Sequence, residues 1–285
     1  MEMRMIREIV SRCYFLFLNS PPIPPKCMGF LLFTKDVFRK EYHDINNDLM
    51  PVSRRPVMRL SSSSRSEFPV PHPVLSLVDK EQDGRKNLVQ RLAAFDVVIV
   101  PGLDGSGPRH WQSLWEEFLL RHGVSVQRVE QGDWSRPDLV AWQMALQALV
   151  NVCVRPVVII AHSLGALLTV HCAELSVAGA LLVAPADVDE ARASDVMRTR
   201  GFAPVPQKAV AFPSVLAASD NDEWLSPCRA RFLAQRWGAE LFPAGRVGHI
   251  GNRENLGMWQ AGFHALERLL DRIDRERKTE GKHEI

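Results

Sequence analysis

From residue 93 onward the chain alternates short apolar runs with longer segments in which apolar residues recur every three or four positions. Val97–Val100 is an uninterrupted apolar run ending at Pro101-Gly102, the form of a strand buried on both faces. Trp111–Arg121 puts Trp111, Leu114, Trp115, Phe118 and Leu119 on one helical face and stops near Gly123. The same reading gives strands at Val124–Val129, Val157–Ile160, Ala180–Val183, Ser214–Ala218 and Glu240–Phe242. Helices are predicted at Leu139–Val150, after Ser163 as far as Leu175, at Arg229–Trp237 and at Leu256–Ile273. Strands alternating with helices call for right-handed crossovers, and so for a mostly parallel sheet with helices on both faces. A single α/β domain over residues 93–274 accommodates the count, followed by a charged tail at 275–285.

The first 92 residues lack this order. Their apolar positions keep no sustained period, prolines cluster at Pro21-Pro22-Ile23-Pro24-Pro25, and Ser61–Ser66 is of low complexity. Such a stretch cannot bury a core of its own and reads as a poorly ordered extension. Arg4 and Arg7 precede an apolar stretch in the manner of a signal peptide, but Glu2, Glu8 and Arg12 interrupt it and its apolar core is too short.

Composition removes several function classes. A net charge of +2 provides no concentrated basic surface for nucleic acid or anionic lipid, and no apolar run reaches the length that spans a bilayer. The five cysteines are scattered, with no C-x-x-C pair, so neither a disulfide framework nor a zinc site is indicated. A reducing, cytoplasmic setting follows, with no metal or other cofactor called for.

Chemistry in a parallel sheet is expected beyond the carboxyl ends of the strands, and the reactive side chains fall there. Val157–Ile160 leads through Ala161-His162-Ser163-Leu164-Gly165 into a helix, so Ser163 stands at the apex of a strand–turn–helix, the nucleophile elbow of α/β-hydrolases. Small residues two before and two after the serine let the turn close, although Ala161 stands where Gly is usual. A serine hydroxyl needs a base to become nucleophilic, and the base needs an acid to orient it. His249, in the glycine-rich loop before the last helix, supplies the base. Asp220, Asp222 and Glu223 all lie in the loop after Ser214–Ala218 and are candidates for the acid. The alternative for Ser163, a plain helix N-cap, needs none of these partners. The loop Gly102–Gly107 lacks the lysine of a phosphate cradle; its Leu103 N–H, with that of Leu164, is better suited to holding an oxyanion.

Taken together, Pro101-Gly102…Gly107-Pro108…His110-Trp111-Gln112…Trp115, Gln131-Gly132-Asp133-Trp134, Ala-His-Ser-Leu-Gly, Ala218-Ser219…Asn221-Asp222 and Gly248-His249-Ile250 resemble the small serine hydrolases related to bacterial YdeN and retinoblastoma-binding protein 9. The resemblance runs from about residue 95 to 270. It implies an α/β-hydrolase with little or no lid and selects Asp222 as the acid. The chain departs from the family at Glu223, where proline is usual, and at Gly251, where asparagine is common. The resemblance also raises an L-x-C-x-E peptide motif, but Val170-His171-Cys172-Ala173-Glu174 replaces its leucine and falls on a predicted helix.

The expected activity is hydrolysis of a small ester, thioester or amide through Ser163, His249 and Asp222, with Leu103 and Leu164 at the oxyanion. His110, Trp111 and Trp134 are candidates for the substrate pocket, and Asp187–Gln207 for a cover over it. A fold retained for binding alone is the competing reading.

Overall fold

The central strands are apolar except at a terminal Asp96, His162 or Ser214, because both their faces are covered. The computed structural model describes residues 84–191 and 193–280. β1 (Asp96–Val100), β3 (Val157–His162), β4 (Gly179–Val183) and β5 (Ser214–Ala218) are buried along their whole length. β2 (Ser125–Arg128) and β6 (Glu240–Pro243), at the two edges, are only partly buried and carry polar residues. All six are parallel, in the order β2-β1-β3-β4-β5-β6.

Alternate strand residues feed two separate cores, because successive side chains point to opposite faces. Val98, Val100, Ile159, Ala161, Leu182 and Leu216 meet α3 (Leu139–Val152), α4 (Leu164–His171) and α5 (Pro227–Trp237). Val97, Val158, Ile160, Leu181, Val183 and Val215 meet α1 (residues 84–92), α2 (Trp111–Arg121) and α6 (Gln260–Glu280). Right-handed crossovers explain the division: the chain steps left from β1 to β2 through α2, then reverses and steps right from β3 to β6. That reversal opens a crevice between β1 and β3, where ligands of open α/β sheets bind.

The elements follow the sequence reading, with the larger differences at the start of the domain, the end of α4 and both ends of α6. Residues 84–92 are helical and bury Leu88 and Leu92, so the packed domain begins ahead of residue 93; the rest of the predicted extension lies outside the described residues. The helix after Ser163 stops at His171, because Cys172 leaves helical geometry with φ −102° and ψ 42°. The final helix starts at Gln260 instead of Leu256 and continues to Glu280, through part of the predicted tail. Asn255, Gly257 and Trp259 have positive φ, which no right-handed helix allows. Among the described residues no helix is long and apolar enough to cross a membrane.

Candidate active site

Ser163 occupies a backbone position that an ordinary residue avoids, with φ 54° and ψ −121°. Four backbone bonds hold it there, one of them from Leu167 N to its carbonyl at 3.2 Å. Its N–H donates to Val183 O at 2.9 Å, and its carbonyl accepts from Ala166 N at 3.0 Å and Ala186 N at 3.2 Å. The tight turn brings α4 against the end of β1, where a Cβ on Gly165 would overlap the carbonyl oxygens of Val100 and Pro101. On the other side a Cβ on Gly102 would stand 2.7 Å from Ser163 Cβ. Glycine at both positions therefore lets the loop after β1 reach the serine. Ala161, two residues ahead of Ser163, is fully buried in β3 and fits without displacing the turn.

Ser163, His249 and Asp222 form one hydrogen-bonded line. The Ser163 hydroxyl donates to His249 Nε2 at 2.6 Å, and His249 Nδ1–H faces both Asp222 oxygens at 2.9 and 3.0 Å. The Asp222 carboxylate is wholly buried, and it also accepts the Trp224 N–H at 2.8 Å. Asp220 and Glu223 are not in this line. Glu223 pairs with Arg253 at the surface, and Asp220 N–H bonds to Gly245 O.

Side chains to which the sequence reading gave no role brace the loops. Asn221 Oδ1 accepts the Gly248 N–H at 3.0 Å, and Ser219 Oγ accepts the Val247 N–H at 3.0 Å; Ser219 also donates to Asn221. These bonds tie the Asp222 loop to the His249 loop. Glu254 accepts from His249 N at 3.2 Å and from Gly251 N at 2.7 Å, closing the histidine turn on itself. The Trp224 ring lies against the His249 ring, 5.7 Å between centroids and 29° between planes. Gln112, fully buried, donates to Ile160 O at 3.0 Å and Val100 O at 3.3 Å and accepts from Ser106 Oγ at 2.6 Å. It thus stitches the ends of β3 and β1 to the loop between β1 and α2. A buried glutamine directly after His110-Trp111 was the one sequence signal for it. The others are ordinary loop residues whose partners lie 27 or more positions away, or within a turn that pattern alone does not reveal.

Leu103, Asp104, His110, His162, Ser163 and His249 are among the residues that line a cavity of about 140 Å³. Of the three predicted pocket residues, His110 is in its wall. Trp111 and Trp134 are not. Trp111 is buried and donates to Ile250 O at 2.8 Å, supporting the histidine loop from beneath. Trp134 packs beside Gly105 and edge-on to Trp142. Leu103 lines the cavity with Ser163, and Leu164, next in sequence to the serine, is the first residue of α4, where no helical carbonyl precedes its N–H. Burial pushes His162 well below the usual histidine range, and its Nε2–H donates to His249 O at 2.9 Å.

The segment between β4 and β5 carries a 3-10 helix, Ser194–Phe202, beside the cavity mouth. Arg198 makes a bidentate pair with Asp104 at 2.6 and 2.9 Å, next to Leu103. Arg229 anchors the start of the segment through buried Asp187, at 2.7 and 3.0 Å. A larger groove, of about 750 Å³, runs between α3 and the end of α4. Its one thiol, Cys172, is pushed up to about 11 by burial and so stays protonated. Of the Cys172 motif only Val170 and His171 are helical; Cys172 caps the helix and Ala173 and Glu174 lie in the turn beyond it, although the sequence predicts helix as far as Leu175.

Residues 97–268 match the family described as serine hydrolase. A YdeN-like hydrolase from Pectobacterium atrosepticum is 33% identical, with 68% of this chain and 97% of that one aligned at a TM-score of 0.56. The ydeN gene product of B. subtilis is 19% identical, over 62% of this chain and 99% of that one, at a TM-score of 0.52. Est1E from Butyrivibrio proteoclasticus, solved with ferulic acid, is 16% identical over 63% and 90%, at a TM-score of 0.51. These last two similarities concern the fold. No curated protein matches the sequence.

Proposed function

Because the chain belongs to the serine hydrolase family, as a YdeN-like α/β hydrolase, we propose that it cleaves a small ester, thioester or amide through an acyl-enzyme on Ser163. The observation that carries this reading is the continuous line from Ser163 Oγ through His249 to buried Asp222. Ser163 sits in a nucleophile elbow, its Oγ already within proton-transfer distance of His249 Nε2. His249 takes the hydroxyl proton as Oγ adds to the substrate carbonyl, then gives it to the leaving group as the tetrahedral adduct collapses. Asp222 fixes the tautomer with Nε2 free to accept, and stabilises the imidazolium that forms. Water, activated by the same imidazole, then releases the acid and returns Ser163.

The adduct's oxyanion takes the Leu103 and Leu164 N–H groups, preorganised donors worth about 3 kcal/mol or more in a dry site. Gln112 and the Arg198–Asp104 pair hold the Leu103 side of that hole. The described cysteines, Cys153, Cys172 and Cys228, are all free, which suits a reducing cytoplasmic setting.

Fluorophosphonate labelling of the purified protein tests the reading. Wild type is expected to label at one serine. Ser163→Ala abolishes labelling and lowers ester turnover by about 10⁴-fold or more, and His249→Ala suppresses both nearly as far. A folded wild-type protein that does not label is a binding protein on this scaffold, and the proposal is then wrong.

A further inference from the structure

His110 caps the N-terminus of α2, its Nδ1 accepting the Gln112 N–H at 3.1 Å. That bond fixes the tautomer: with Nδ1 accepting, the ring proton of the neutral imidazole is on Nε2. Burial, helped by Arg128 and His249, pulls His110 down to about 3, so the ring stays neutral at working pH. Only 2% of the residue is exposed, and among the described residues Nε2 has no hydrogen-bond partner. A buried N–H left unpaired costs about 1–3 kcal/mol, an unusual penalty beside a well-satisfied site. His110 is among the residues that line the Ser163 cavity, and its ring centroid lies 4.9 Å from that of His162, the residue before the serine. It also ends the loop that starts at Leu103, whose N–H is one of the two donors proposed for the oxyanion.

We propose that His110 Nε2–H is a specificity donor: it recognises an acceptor oxygen, an ether or a ketone, on the acyl chain of the substrate beyond the reacting carbonyl. This rests on the hydrolase reading and narrows its substrate class. A purely hydrocarbon acyl chain leaves the donor unpaired, and so does an ammonium group. An oxygen at the right depth satisfies it, and sites built around such a bond discriminate against the analogue that lacks it. His110 is not a second base, because one ring nitrogen is engaged by Gln112 and the other carries the proton.

Matched p-nitrophenyl esters read this directly: methoxyacetate against butanoate, and 4-oxopentanoate against 4-methylpentanoate. His110→Asn is the informative variant, since asparagine preserves a helix N-cap but cannot reach as far into the cavity. The kcat/KM preference of wild type for the oxygen-bearing member of at least one pair is expected to fall about tenfold in His110→Asn, corresponding to about 1.4 kcal/mol. Persistent fluorophosphonate labelling of the variant reports an assembled nucleophile. Labelling with both preferences unmoved overturns the donor role and leaves the hydrolase reading standing, whereas a folded wild type that does not label overturns both. A second measurement needs no variant. Methoxyacetamide should inhibit wild type several-fold more tightly than butanamide, and equal inhibition constants count against the donor.

Discussion

The turn that carries Ser163 and the loops that carry Asp222 and His249 meet through hydrogen bonds from Ser163 Oγ to His249 Nε2 at 2.6 Å and from His162 Nε2 to His249 O at 2.9 Å, yet they are held by different means. The turn is a backbone object. Its serine is fixed by four main-chain bonds and by the absence of side chains at Gly102 and Gly165, where β1 and α4 nearly touch. The loops share main-chain bonds where they leave the sheet, Asp220 N–H to Gly245 O and Ala244 N–H to Ala218 O, both at 2.8 Å, but nearer Asp222 and His249 they rely on side chains. Ser219, Asn221 and Glu254 place them, each by a side chain that accepts a main-chain N–H. A turn of the first kind either forms or does not. Loops of the second kind can lose a bond and drift by a fraction of an ångström, which matters because catalytic rate depends steeply on placement.

Adding one methyl group breaks the first region outright. In Gly165→Ala the new Cβ overlaps two backbone carbonyl oxygens, which are the least able to give way. The variant is expected to lose more than about 3 kcal/mol of stability and to accumulate little folded protein, as thermal unfolding and recovery on gel filtration would show. A well-folded Gly165→Ala protein would mean that the close approach of β1 and α4 is not what sets the turn. The second region should fail more gently. Asn221→Ala removes the acceptor for Gly248 N–H and frees Ser219 from it. Turnover is expected to fall about 100-fold with KM within about threefold and the unfolding temperature nearly unchanged, because the loss falls on orientation of the imidazole. Equal kcat in the variant and wild type would show that the loops hold themselves without this bond.

The same contrast explains what could be read from the chain. Ser163, the strands around it and the alternation of cores are local properties, written in apolar periodicity and in the small residues flanking the serine. β1, α2 and β5 accordingly fall within a residue or so of the positions predicted from pattern. His249 could be picked by its place after the last strand, and Asp222 only through resemblance to a family, since pattern alone left it level with Asp220 and Glu223. Asn221 entered only as part of the family motif, without a role, and Glu254 not at all: an asparagine or glutamate in a loop is what any loop contains, and its value lies in an amide brought near by folding. Trp111 and Trp134 were placed in the pocket because aromatic residues line many pockets. Here their rings are needed for packing, Trp111 beneath the histidine loop and Trp134 against Trp142. The start of α6 was missed because Asn255, Gly257 and Trp259 adopt positive φ in a stretch whose composition still looks helical.

Where the two regions touch, the contact is dry, and that has a thermodynamic signature. His162 belongs to the turn and donates to His249 O in the loop, and His110 lies against it, 4.9 Å between ring centroids. Burial holds His162 well below the usual histidine range and His110 at about 3. An unfolded chain takes up protons on both imidazoles as pH falls through about 6.5, while the native state leaves them neutral. The unfolded state therefore binds more protons between that pH and about 3, and stability is lost as pH falls through this window. Each such histidine contributes at most about 1.4 kcal/mol per pH unit. His171, buried and bonded to Phe202 O, is also lowered and adds a part of its own far from the cavity. Between pH 6 and 5 the carboxylates held low by their partners, such as Asp104 beside Arg198, have not begun to titrate, so the slope there belongs to the histidines. His110→Asn is accordingly expected to flatten that slope by about 1 kcal/mol per pH unit, measured by urea unfolding at half-unit steps. The destabilisation of the variant at pH 7 shifts the whole curve but not its slope, which separates lost packing from lost titration. If wild type and His110→Asn run parallel from pH 6 to 5, His110 is titrating in the native state as it does in water, and the turn and the loops are joined through solvent instead of through a sealed contact.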